Sequence, residues 1–286
     1  MIRKNFQKAA SILLSIILLF SCGLPSFATS VPNTDDHAPM IGEISDNLEK
    51  PAYITQKESV AFSYYLEKMD SWSNIGIMRG SANEYEAVLS LSQVPQDTST
   101  YCGFAAVKSV LTYKAVHLTQ TQANIKTQAE TLCNDTGEDS LPWYIGNGTS
   151  YSTNFFPAAA VLNYYLGYHY YTPFGPWSSA MTTSSIEAKI VYDIDQSLPV
   201  LVCGVSGPNS AASHMPNYPN SNKSHWLVVK GYSDYGDTIV IADPAKSSAV
   251  SWSSNISAVY TVSIGKITDY ANATGASGYS ARGLIW

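Results

Sequence analysis

"HWLVVKGYSDYGDTIVIADP", residues 225–244, reads as two β-strands joined by a turn. Each half is a short run rich in β-branched residues, and "YSDYG" between them carries turn residues. With the turn centred on Asp234, residues 225 and 243 each lie nine positions from the centre. His225 and Asp243 are then expected opposite one another. Directly opposed residues of an antiparallel pair point to the same face. A carboxylate beside an imidazole fixes its tautomer and stabilises its protonated form.

Outward from this hairpin, "LPVLVCGV" (198–205) and "AVYTVSI" (258–264) are two further short strands. Towards the N-terminus the pattern is helical. The spacing predicts helices over 55–69, with Thr55 and Glu58 placed as a capping box, and over 84–91, 103–115 and 119–132. Another runs from about 156, with Pro157 in its first turn and Gly167 as its stop. Beyond Gly167 helical signals fade and strand signals replace them. Helices followed by an antiparallel sheet define an α+β domain.

The 286 residues, 45% of them hydrophobic, suffice for one good-sized domain plus an extra segment. The net charge is −6 and no basic run occurs beyond the extreme N-terminus, which argues against a nucleic-acid partner. The first thirty residues, "MIRKNFQKAASILLSIILLFSCGLPSFATS", combine Arg3, Lys4 and Lys8 with an apolar run over 9–20 and a small-residue site ending at Ala28. That is the pattern of a secretory signal peptide, cleaved after Ala28. A rival reading makes "LFSC" a lipoprotein signal with Cys22 lipidated. No second hydrophobic run reaches spanning length, so no membrane span is expected. The chain is therefore divided into a signal peptide over 1–28, a linker and helical segment over 29–90 with the character of a pro-segment, and a domain over 91–286.

The four cysteines are Cys22, Cys102, Cys133 and Cys203. Their spacing holds no CxxC pair and no zinc pattern, and no metal or cofactor is expected. Removing the signal peptide leaves three, so at least one thiol lacks a partner within the chain. Cys203 sits in an apolar strand, and a Cys133–Cys203 disulfide would leave Cys102 as the thiol. Cys102 stands in "VPQDTSTYCGFAAVKSVL", residues 94–111, where a polar loop turns into a helix. A thiol at a helix N-terminus meets unpaired amides and the positive end of the helix dipole, and both favour thiolate. Among His37, His117, His169, His214 and His225, only His225 opens a strand after a Pro/Asn/Ser-rich loop, where a sheet can hold it facing a cleft. Acyl transfer also needs donors for a developing oxyanion. The Cys102 N–H is one candidate. Gln96, six residues upstream, is the second, with Gln93 a less favourable alternative.

Gln, six residues on Cys-Gly at a helix start, a distant His opening a strand, and Asp-Pro after the next strand together resemble the papain-like cysteine peptidases. The likeness covers about 94–264 and is closest to the family resembling bacteriocin-processing, double-glycine leader peptidases. It implies a papain-like fold with Gln96 as oxyanion donor, Cys102 as nucleophile, His225 as base and Asp243 as orienting acid. It also implies a secreted or cell-surface bacterial hydrolase that cuts peptide or amide bonds through a thioester. The substrate would be a peptide or protein, with cell-wall peptide one such class. Two features depart from that pattern: Phe104 stands where proline is usual after Cys-Gly, and no transporter segment is read in the chain. A cell-wall amidase or an acyl transferase would use the same residues. A surface binding protein that kept the fold without the chemistry is the non-enzymatic alternative.

Overall fold

The computed structural model describes residues 52–79, 86–133, 155–175, 181–273 and 283–286, all within one compact unit over 43–286. Residues 1–51, which hold the expected signal peptide, Cys22 and the expected linker up to residue 50, lie outside the described residues. Among the described residues no helix is long and apolar enough to cross a membrane.

The described elements are helices α1 (Ala52–Arg79), α2 (Cys102–Tyr113), α3 (Gln122–Cys133), α4 (Phe155–Leu166), α5 (Thr183–Asp195) and α6 (Ile264–Asn272), and seven strands. The strands are β1 (Ala87–Val88), β2 (Pro173–Phe174), β3 (Val200–Ser206), β4 (Lys223–Ser233), β5 (Thr238–Ala242), β6 (Val259–Ser263) and β7 (Gly283–Ile285). They form one antiparallel sheet in the order β2-β7-β3-β4-β5-β6, with β1 paired to the far end of β4. The expected α+β class is what the chain adopts.

Helix α2 is buried on nearly every side, from Cys102 through Val107 and again over Ser109–Leu111. A helix with so little polar surface belongs inside a core. It packs on β4, with α3 and α4 against it. Helix α6 packs on β3, and α5 lies against β4 and carries α1 on its outer side. One continuous apolar core joins all these elements.

Several expectations are corrected. Residues 86–91 are not helical: Ala87 and Val88 pair with Tyr232 and Gly231 of β4, and the Leu89 N–H donates to the Lys230 carbonyl at 2.8 Å. Gly231 permits this approach, since a Cβ there would come within 2.6 Å of the Ala87 carbonyl oxygen. Helix α1 starts at Ala52, so Thr55 and Glu58 lie inside it and form no capping box at its boundary. Helices α5 and α6 occupy stretches where helical signals had faded. α5 is capped by Thr182 accepting from the Ser185 N–H, and α6 by Ser263 accepting from the Lys266 N–H. By contrast Gly167 ends α4 as expected, with φ of +74°.

The hairpin register is also corrected. Asp234, Tyr235 and Gly236 all adopt positive φ, which moves the turn about one residue beyond its expected centre. Ser233 pairs with Thr238, Tyr232 with Ile239 and Gly231 with Val240; then the register shifts, and Val229 pairs with Ile241 and Val228 with Ala242. Lys230 is the extra residue of a β-bulge. Continuing the inner register places Asp243 opposite Leu227, so His225 is its diagonal neighbour and not its direct partner. The displacement is two residues, and both side chains still share one face. Without the bulge, Asp243 would oppose Val228, and His225 would point to the opposite face.

Candidate active site

Four elements meet at one end of β4. His225 is the third residue of that strand, Asp243 follows the last residue of β5, Cys102 opens α2, and Gln96 sits on the loop before it. His225 Nε2 and Asp243 Oδ1 are 2.9 Å apart, with both side chains buried. Cys102 hydrogen-bonds the His225 ring. Since Nε2 is engaged by Asp243, Nδ1 is the nitrogen that faces the thiol.

The electrostatics follow from this packing. Burial disfavours a charged imidazole at His225. The charges of Asp243 and Cys102, with a hydrogen bond to each, outweigh that penalty and push its pKa from 6.5 up to about 10. His225 is thus held protonated through neutral pH. Cys203, from β3, is a buried thiol whose pKa is driven upward by burial and by the neighbouring Cys102. It is inert packing by that criterion.

The head of α2 is buried and has no side-chain cap on its first amides. Tyr101 occupies the N-cap position and provides no side-chain cap. The first helical bond of the turn is Ala105 N–H to the Tyr101 carbonyl, at 2.9 Å. Phe104 does not disturb this start. It is fully buried, and its ring meets Tyr101 edge-on at 5.0 Å.

Gln96 is 2% exposed and tied to the Asp-Pro turn by its backbone. Its N–H donates to the Pro244 carbonyl at 3.0 Å, and its own carbonyl accepts from Ser247 Oγ at 2.6 Å. Its side-chain Nε2 donates one hydrogen to the Thr98 carbonyl at 2.6 Å, which leaves the second N–H for another acceptor. Gln122, at the start of α3, clamps the same loop. It donates to the Pro95 carbonyl at 2.7 Å and accepts from the Asp97 N–H at 2.9 Å. Gln93 is turned away, donating to the Lys246 carbonyl at 3.3 Å.

Other residues of the site were not foreseen. Tyr218 and Tyr260 both donate to Asp243 Oδ2, each at 2.8 Å, while the Ala245 N–H donates to Oδ1 at 2.8 Å. Tyr270 of α6 donates to the His225 backbone carbonyl at 2.6 Å. It can do so because the residue opposite His225 on β3 is Gly204, where any Cβ would collide with Tyr270. Trp252 stands edge-on to His225 with ring centroids 6.2 Å apart, and tilts against Tyr218 at 5.1 Å. Tyr218 had one legible signal, an aromatic residue between Pro216 and Pro219 in an otherwise polar loop. His214 of that loop is half-buried, with Nδ1 2.7 Å from the Gly207 carbonyl oxygen.

A buried Cys and His in contact, with a carboxylate behind the His, on an α+β frame define the class of thiol hydrolases. A sequence profile of the Peptidase_C39-like family matches residues 86–271, and the chain belongs to that family. This is a cysteine peptidase-type family, and the match covers every element of the site. Comparison with curated proteins gave no match.

Proposed function

We propose that the protein is an exported cysteine peptidase in which Cys102, His225 and Asp243 act as a catalytic triad. The observation that carries this reading is the 2.9 Å contact from Asp243 to His225 Nε2, which turns the other ring nitrogen toward Cys102 at the head of α2. In this reading the proton of Cys102 resides on His225 Nδ1. The Cys102 sulfur attacks the carbonyl carbon of a peptide or amide, and the carbonyl oxygen takes up the negative charge. The Cys102 N–H and the second N–H of Gln96 receive that oxyanion. His225 then delivers its proton to the departing amine, the C–N bond breaks, and a thioester remains on Cys102. Water, deprotonated by His225, attacks the thioester and releases the carboxylic acid. Asp243 remains ionised throughout and keeps the imidazole oriented. On the same reading residues 1–28 are removed on export, and the substrate is a peptide or protein outside the cell.

The test is digestion of a peptide library by wild-type protein beside Cys102→Ala. The expected result is a set of cleavages made by wild type and absent from the variant. Identical product patterns from the two proteins overturn the proposal.

A further inference from the structure

Asp243 is surrounded by more donors than an orienting carboxylate needs. Oδ1 serves His225 Nε2 and the Ala245 N–H, while Oδ2 serves the hydroxyls of Tyr218 and Tyr260. The two tyrosines come from separate places, the loop before β4 and the edge strand β6, yet they converge on one oxygen. Asp243 is fully buried, and no water is needed to complete its shell. Four donors aimed at one carboxyl group are compatible with the ionised form alone, unless a tyrosine turns round to accept. We propose that Tyr218 and Tyr260 are positioning residues that clamp Asp243 in its ionised state, and so set the lower pH limit at which His225 can activate Cys102. This deepens the triad reading and rests on it.

The groups facing Asp243 are consistent with that role from every side. They are His225 on β4, Tyr218 on the preceding loop, Tyr260 on β6 and Tyr270 on α6, with Cys102 at the head of α2 reached through His225. Among the described residues no lysine or arginine faces Asp243, so its cationic partner is the His225 imidazolium, and the tyrosine hydroxyls supply the remaining donors. Burial first, and the charge of Asp243 second, hold the Tyr218 and Tyr260 hydroxyls well above the ordinary tyrosine range. They therefore stay protonated, as donors must. Trp252, packed on both Tyr218 and His225, screens the pair from solvent and strengthens each of these hydrogen bonds. In a protonated Asp243 one oxygen becomes a donor, so a tyrosine hydroxyl must turn to accept from it, and the His225 imidazolium keeps its acceptor but loses its counter-charge. Removing a tyrosine hydroxyl lowers the cost of that protonation.

The experiment measures the rate of Cys102 alkylation by iodoacetamide from pH 4 to 9, read at the modified peptide by mass spectrometry. Wild type, Tyr218→Phe, Tyr260→Phe, the double variant and His225→Ala are compared, with thermal stability recorded for each. The expected result is a rate in the double variant that falls roughly tenfold below wild type at pH 5 but stays within about twofold at pH 8. Each single variant should lie between. If the double variant does not fold, Tyr260→Phe alone carries the test, since it keeps its ring at the sheet edge. A lowered melting temperature with a pH profile parallel to wild type would show a merely structural role and overturn the proposal. Wild-type alkylation that is unaffected by His225→Ala overturns the triad reading itself, which keeps the two failures distinct.

Discussion

Replacing one oxygen of Asp243 by an NH2 group separates the shape of this site from its charge. In Asp243→Asn the remaining oxygen can still accept from His225 Nε2 and the Ala245 N–H, while the amide nitrogen faces Tyr218 and Tyr260, whose hydroxyls can turn to accept. The fold should survive. The imidazolium loses its counter-charge, and we expect kcat/KM to fall about 10²- to 10⁴-fold with little change in melting temperature. A loss under about threefold would mean that Asp243 orients His225 by hydrogen bonding alone. At this scale the sequence was most informative. A Cys at a helix mouth, a His opening a strand and an Asp-Pro closing the next one each have a chemical reason for their place. Tyr260 was not legible, and Tyr218 carried only its place between two prolines. A tyrosine in a polar loop or on an edge strand has no local signal for the buried oxygen it will reach, because convergence from two elements is a tertiary property.

Among the elements, β4 and α1 show two kinds of dependence. In β4, the bulge at Lys230 keeps His225 and Asp243 on one face, and the Lys230 carbonyl accepts from the N–H of Leu89, the residue that follows β1. Alternation of apolar residues revealed the two strands but not the bulge, since "LVVKGY" carries no break in composition except the glycine that follows. Helix α5 was missed for a related reason. Its Ile186, Ile190, Val191 and Ile194 form a helical stripe, but β-branched residues in a short window also suit a strand. Helix α1 is fastened to α5 by polar groups with little exposure. Lys57 Nζ lies 4.0 Å from Asp193 and over the rings of Tyr170 and Trp286, while Tyr170 donates to Asp193 at 2.8 Å. Further along, Lys68, Tyr64 and Tyr232 all reach Asp195. Burial outweighs attraction at the first of these pairs. It lowers Lys57 from 10.5 to about 8, and raises Asp193 from 3.8 to about 6. Lys57→Met should therefore cost about 3 kcal/mol in urea unfolding by leaving Asp193 buried without its cation, and Lys57→Met/Asp193→Leu should recover most of that loss. Additive losses in the double variant would contradict this account of the contact.

For the molecule as a whole, the site leaves a signature in the dependence of stability on pH. His225 binds its proton far more tightly in the folded chain, with a pKa of about 10 against 6.5. Its contribution is therefore complete below about pH 6.5 and is lost as pH rises toward about 10. Lys57 acts in the opposite sense between about 8 and 10.5, because its folded form releases the proton first. The two are separated by difference. Wild type should lose stability relative to His225→Asn between pH 6.5 and 10, and a constant difference across that window would contradict the paired imidazolium. The α+β layout was legible because helical and strand patterns occupy successive halves of the chain. The insertion of α5 before the sheet and α6 after β6 was not, since both are stabilised by contacts with strands remote in sequence. Whether Cys102 carries the acyl group is read by acid-quenching wild-type protein during turnover of its fastest-cleaved library peptide and weighing the intact chain. The expected result is an added mass equal to the acyl half of the peptide, located on Cys102 and absent from Cys102→Ala. Turnover with no such adduct, or an adduct on another residue, would contradict it.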